Sequence, residues 1–123
     1  MAGTLTISTL KNDTGVLSVQ NGMTGIAKAW VNFVGSTAVI NGSFNVSSVT
    51  RNSIGNYTVT FTTAMPSANY VFTVTPFDTG TNPTNGCSAS LITNTTSAVN
   101  FTVGKYSAGY YDPPTLMVGI LSA

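Results

Sequence analysis

Apolar and small polar residues alternate along this chain in short runs, and glycine, proline or asparagine separates one run from the next. Side chains alternate faces along a strand, so each run predicts a half-buried β-strand. The clearest case spans Ser43 to Phe61. There Ser-Phe-Asn-Val-Ser-Ser-Val-Thr and Tyr-Thr-Val-Thr-Phe flank Arg51-Asn52-Ser53-Ile54-Gly55-Asn56. This pattern predicts an antiparallel hairpin with one buried face, placing Phe44 and Val46 inward on the first strand and Tyr57, Val59 and Phe61 inward on the second. Gly55 can supply the positive φ that the connecting loop needs, and Asn52 and Asn56 tolerate it.

The same alternation recurs on both sides of the hairpin. Ala27 to Val34 predicts a strand with Ala29, Val31 and Phe33 on one face and Lys28, Trp30 and Asn32 on the other. Gly35-Ser36-Thr37 predicts a turn, and Val39-Ile40 a short strand before the turn dipeptide Asn41-Gly42. Pro66 marks the end of the second hairpin strand, since proline cannot donate to a sheet ladder. Tyr70, Phe72 and Val74 alternate next, and Pro76 to Gly86 predicts a long loop. Ser88 to Thr93 and Ala98 to Tyr106 predict two further strands, the second with Val99, Phe101 and Val103 inward. After a loop at Ser107 to Pro114, Thr115 to Leu121 sets Leu116, Val118 and Ile120 against Met117 and Leu121. No window has helical periodicity. Seven or eight short strands at this spacing predict an all-β fold, an antiparallel β-sandwich or jelly roll. Residues 1–25 are polar and weakly periodic, with Leu5, Ile7 and Leu10 as their early apolar anchors and one strand predicted around Gly15 to Val19. They read as a short extended N-terminal arm ahead of a sandwich domain at 26–123.

Charge changes the picture more than length does. The 123 residues suffice for one domain. Only 6% of them are charged, against about 25% in typical domains. The four basic residues, Lys11, Lys28, Arg51 and Lys105, are scattered singly and the net charge is +1. This excludes the basic footprint expected of a nucleic-acid or anionic-membrane binder. No apolar run approaches the roughly 20 residues of a membrane span. Without a basic-then-apolar leader at Met1-Ala2-Gly3-Thr4, the expected site of synthesis is a cytoplasm, and a lone Cys87 fits that compartment. Six Asn-x-Ser/Thr sequons (Asn12, Asn41, Asn45, Asn56, Asn94 and Asn100) follow from the richness in Asn, Ser and Thr and predict no glycosylation there.

Monomeric sheet proteins guard exposed edges with lysine, proline or bulges. With so little charge, the open edges and second apolar faces of this chain are expected to be covered by other copies of it. Trp30, Met117 and Leu121 are the candidate subunit-interface residues.

The chemistry available is narrow. There is no His, and Asp13, Asp78 and Asp112 account for all three acidic residues, so no Ser-His-Asp or Cys-His arrangement is possible. One Cys and three dispersed Asp predict no metal site and no cofactor. Asp-Thr-Gly occurs at Asp13 and at Asp78, the tripeptide that aspartic proteases place at their paired carboxylates. Asp78 sits in a Pro/Gly-rich loop and Asp13 in a polar arm, so both read as turns, with Asp at the start and Gly at the end. No catalytic residue is assigned. Tyr106, Tyr110 and Tyr111 cluster with Asp112 around a Gly/Pro loop. Aromatic rings beside a carboxylate make them candidate ligand-binding residues for a sugar, against the alternative that they pack under the loop or at a subunit contact.

Four segments also carry a resemblance: Ala29-Trp30-Val31-Asn32-Phe33, Ser43-Phe44-Asn45-Val46-Ser47-Ser48, Gly55-Asn56-Tyr57-Thr58-Val59-Thr60-Phe61 and Ala64-Met65-Pro66-Ser67-Ala68-Asn69-Tyr70. Together they resemble a domain of virion structural proteins in tailed bacteriophages. Ser8-Thr9-Leu10-Lys11-Asn12-Asp13-Thr14 is similar to the start of short fibre proteins of that group. The resemblance covers roughly the first two thirds of the chain, as far as Phe77. It implies a non-enzymatic protein on the virion surface, made in the host cytoplasm. The favoured form is a trimeric head decoration protein or short capsid fibre, docked on a capsid or tail protein through its N-terminal arm. The alternative it implies is a tail fibre or a receptor-binding module that reads a host-surface glycan.

Overall fold

A computed structural model describes residue 3 and residues 9–12, 15–18, 27–78, 86–106 and 108–121. Their fold is all-β and antiparallel throughout. Eleven strands occur among the described residues: β1 (Thr9–Asn12), β2 (Gly15–Ser18), β3 (Ala27–Phe33), β4 (Ile40–Phe44), β5 (Val46–Ser53), β6 (Asn56–Phe61), β7 (Val71–Phe77), β8 (Cys87–Asn94), β9 (Ala98–Lys105), β10 (Gly109–Tyr110) and β11 (Thr115–Leu121). Strands β1 and β2 pair only with each other. The rest form two sheets packed face to face as a β-sandwich.

The first sheet is built on β9. Its one edge pairs with β8 from Cys87–Lys105 to Asn94–Val99. Its other edge is shared: β6 pairs with it from Ala98 to Thr102, and β10 continues at Gly104 and Lys105. Strand β5 then pairs with β6 in the hairpin expected from the sequence. The second sheet runs β4, β3, β11, β7.

Between the sheets lie the expected inward sets. Ala29, Val31 and Phe33 of β3, Tyr57, Val59 and Phe61 of β6, Val99, Phe101 and Val103 of β9, and Leu116, Val118 and Ile120 of β11 are all buried. Strand alternation puts each set on one side of its sheet, and facing the sets together removes them from water. The rings of Phe33 and Tyr57 meet edge to face with centroids 5.3 Å apart, and Phe101 contacts both Tyr57 and Phe72. Tyr70 closes one end of the sandwich, its hydroxyl within 3.1 Å of the Thr95 carbonyl and 3.2 Å of the Ala98 carbonyl.

Several expectations need correction, among them the turn expected at Asn41-Gly42, which lies within β4. Phe44 does not point inward; it is 55% exposed. The stretch from Ser43 is not one strand, because Asn45 has φ +54° and splits it into β4 and β5, which belong to different sheets. A left-handed residue breaks the two-residue alternation, so Phe44 turns outward while Val46 packs on the core. The Asn45 amide anchors the break by donating to the Lys28 and Thr63 carbonyls, and its Oδ1 accepts from the Thr63 N–H at 2.7 Å. Pro76 belongs to β7 rather than to a loop, paired in register with Leu116. Strand β7 is an edge, where a missing N–H is tolerated. Within residues 1–25, the strand expected at Gly15 to Val19 is found as β2 (Gly15–Ser18), paired antiparallel with β1 (Thr9–Asn12). The anchors Leu5 and Ile7, Asp13-Thr14 and Thr79-Gly80 lie outside the described residues, as does the side chain of Leu10.

Candidate functional site

After β10 the segment 111–114 crosses from the first sheet to the second over one end of the sandwich. Its first residue is tied to β9 by the Tyr111 N–H, which donates to the Val103 carbonyl at 3.1 Å. On that same edge the Val103 N–H donates to the Gly55 carbonyl at 2.7 Å. The β5–β6 turn and the crossing segment therefore meet at one residue. Gly55 is required there twice over. It has φ +66°, and a Cβ would collide with the Val103 carbonyl oxygen and lie 2.8 Å from the Tyr111 nitrogen.

Asp112 staples this junction. Its Oδ1 accepts the Gly55 N–H at 2.8 Å and the Tyr57 hydroxyl at 2.5 Å. Its Oδ2 accepts Nε and Nη2 of Arg51 at 3.0 and 2.6 Å. Burial pushes the carboxyl pKa up, but the Arg51 guanidinium, the Gly55 N–H and the Tyr57 hydroxyl outweigh it and hold the group below its usual value. Tyr57 moves the other way: burial, then the bond to the Asp112 carboxylate, drives its hydroxyl far above the ordinary range.

A second cluster lies alongside. The Lys105 ammonium pairs with Asp78 Oδ2 at 2.5 Å and sits 4.1 Å from the centroid of the Tyr111 ring. The Tyr111 hydroxyl donates to Asp78 Oδ1 at 3.2 Å. Burial and then the bond to Asp78 raise the Tyr111 pKa. Cys87 is half-buried, and burial together with the Asp78 charge pushes its thiol up.

The structure thus divides the expected Tyr106, Tyr110, Tyr111 and Asp112 quartet. Tyr111 and Asp112 bond inside the protein. Tyr106 and Tyr110 stand in solvent, 95% and 68% exposed, and line an open groove of about 590 Å³. Phe101 and Val103 point into the core, so Thr102 and Gly104 face outward from β9, with Ser90 and Ser88 beside them on β8 and Tyr110 beside Gly104 on β10. These four small residues line the groove with the two tyrosines. Sequence reasoning missed them. The available signal was the two-residue spacing of Ser88 and Ser90, which on its own marks only a solvated strand.

Trp30, Met117 and Leu121 fall together on the outer face of the second sheet. Trp30 is in register with Phe44 on one side and Gly119 on the other, Met117 with Asn32 and Thr75, and Leu121 with Val71. Trp30 is 44% exposed, and Phe44, Val71, Phe77 and Met117 are also exposed. The indole lies over Gly42, where a Cβ would stand 3.5 Å from the ring. Among the described residues, no group of three His, Cys, Asp or Glu gathers in a metal-ligating arrangement, and no helix is long and apolar enough to cross a membrane. No protein family matches the chain, and neither a curated protein nor a solved structure is detectably similar to it.

Proposed function

We propose that the protein is a non-enzymatic structural component of a bacteriophage particle, displayed on its exterior as a homotrimer and docked through residues 1–25. The role is that of a head decoration protein or short capsid fibre, with a tail fibre as the alternative position. The observation that carries the reading is the outer face of the β4-β3-β11-β7 sheet, where Phe44, Trp30, Met117, Val71 and Phe77 are exposed on one surface. Contiguous exposed apolar surface marks an interaction site. Further copies of the chain, packing this face on one another, would cover it.

Full burial of a large apolar side chain contributes about 1.5–3 kcal/mol. Trp30 is already half covered in one chain, so each such residue would add about 1 kcal/mol per subunit. Several of them over three subunits favour stable association. The resemblance of the Trp30, Asn45 and Tyr57 segments to virion proteins supports the particle.

Sedimentation equilibrium tests the assembly. The expected mass is three times the chain's 12.7 kDa at micromolar concentration, falling toward one chain for Trp30→Asp combined with Met117→Asp. A wild-type monomer would overturn the reading.

A further inference from the structure

We infer that the groove beside Tyr106 and Tyr110 is a binding site for a neutral oligosaccharide. It lies on the outer face of the first sheet, opposite the face assigned to self-association, and the inference stands without the trimer.

The argument begins with what the two tyrosines do not do. Tyr106 and Tyr110 have no place in the core, and their rings stand in water while the rings of Tyr57 and Tyr70 are withdrawn from it. Tyrosine offers a flat apolar face with a polar tip. A sugar ring presents a complementary surface, a patch of C–H groups on one side and hydroxyls around the rim.

The rest of the lining points the same way. Ser88, Ser90 and Thr102 supply hydroxyls, and Gly104 leaves space between them. A hydroxyl both donates and accepts, as sugar hydroxyls do, so the pairing needs no fixed charge. The volume, about 590 Å³, falls within the range of roughly 300–1,000 Å³ usual for small-ligand sites.

Charge separates the candidate ligands. Among the described residues, Lys105 is the one charged residue lining the groove, and its ammonium is compensated by Asp78 at 2.5 Å. Among the described lining residues, a phosphate, a sialic acid or a nucleotide would find no free cation, and an amine would find no carboxylate. Asp112, whose oxygens take Arg51, Gly55 and Tyr57, has none to offer. Neutral hexose or N-acetylhexosamine chains are the class that remains.

The full chain should be applied to an array of neutral, sialylated and sulfated glycans, and the strongest neutral binder titrated in solution by calorimetry. The expected result is selective retention of neutral glycans. Losing one stacking ring by Tyr106→Ala or Tyr110→Ala should weaken binding about tenfold, and Tyr110→Phe, which keeps the ring, should stay within about threefold. Both positions are exposed, so these variants keep the fold, and far-UV circular dichroism checks it. A blank array, preference for charged glycans, or affinity unchanged in the Tyr106→Ala, Tyr110→Ala double variant would each overturn the site. Sedimentation of the same samples keeps the two proposals apart: glycan binding by a monomer retains the groove and removes the trimer, and a trimer that binds no glycan does the reverse.

Discussion

Truncating Asp112 to alanine removes the acceptor on which the β5–β6 turn, the crossing segment and the core meet. In the folded protein four donors converge on this carboxylate. Two of them have nowhere else to go. Tyr57 is fully buried and Gly55 is buried, so the variant leaves a hydroxyl and an N–H without partners, each costing about 1–3 kcal/mol. The Arg51 side chain is 31% exposed and can turn to water, and such solvent-facing pairs contribute little. The expected loss is therefore about 3–5 kcal/mol, carried by the hydrogen bonds rather than the ion pair. For a domain of this size that lowers Tm by roughly 10–20 °C. Asp112→Asn keeps an acceptor oxygen for Gly55 and Tyr57 and should fall between wild type and alanine. Thermal unfolding followed by far-UV circular dichroism at pH 7 measures both, at one protein concentration because self-association would shift Tm. An alanine variant within about 3 °C of wild type would refute the reasoning.

The depressed Asp112 carboxyl contributes stability that is present above the unfolded carboxylate value of about 3.9 and is lost as pH falls through the lower folded value. The Tm gap between wild type and Asp112→Asn should narrow below pH 4, and a constant gap down to pH 2 would contradict this. Phe61→Ala should cost about 3–5 kcal/mol in chemical denaturation, because a buried ring packed edge-on against Tyr70 leaves a cavity. A change below about 1 kcal/mol would show that Phe61 is not core. Gly55→Ala forces both a left-handed backbone and a clash with the Val103 carbonyl, and should yield no cooperative unfolding transition. A normal melt would sink the junction described here. Cys87, with its thiol pushed up, should react with iodoacetamide at pH 7.5 more slowly than a free cysteine peptide, and equal rates would contradict its environment.

Where alternation is strict, the sequence reads directly as structure. The triplets 57/59/61, 99/101/103 and 116/118/120 are buried as their spacing requires. Phe44 was misread because a period of two carries no mark for the left-handed residue that follows it, and Asn45 has no neighbouring glycine to flag one. Strand β10 has two residues, too few for any pattern. The tyrosines of the candidate site were legible as aromatics on a Gly-rich loop. Their division into two exposed and one bonded was not, since it depends on which way Lys105 and Asp78 turn. Nor was the Asp112 network, whose ion-pair partners lie 61 residues apart and meet only once β10 carries the chain over the turn at Gly55.

A cryo-EM map of particles assembled by a phage that encodes this chain tests the central proposal most directly. The account predicts threefold density on the particle exterior, with the three β4-β3-β11-β7 faces turned toward one another, residues 1–25 at the particle surface and Tyr106 and Tyr110 facing solvent. Particles without this chain, or carrying it as single sandwiches with Trp30 and Met117 open to water, would contradict it.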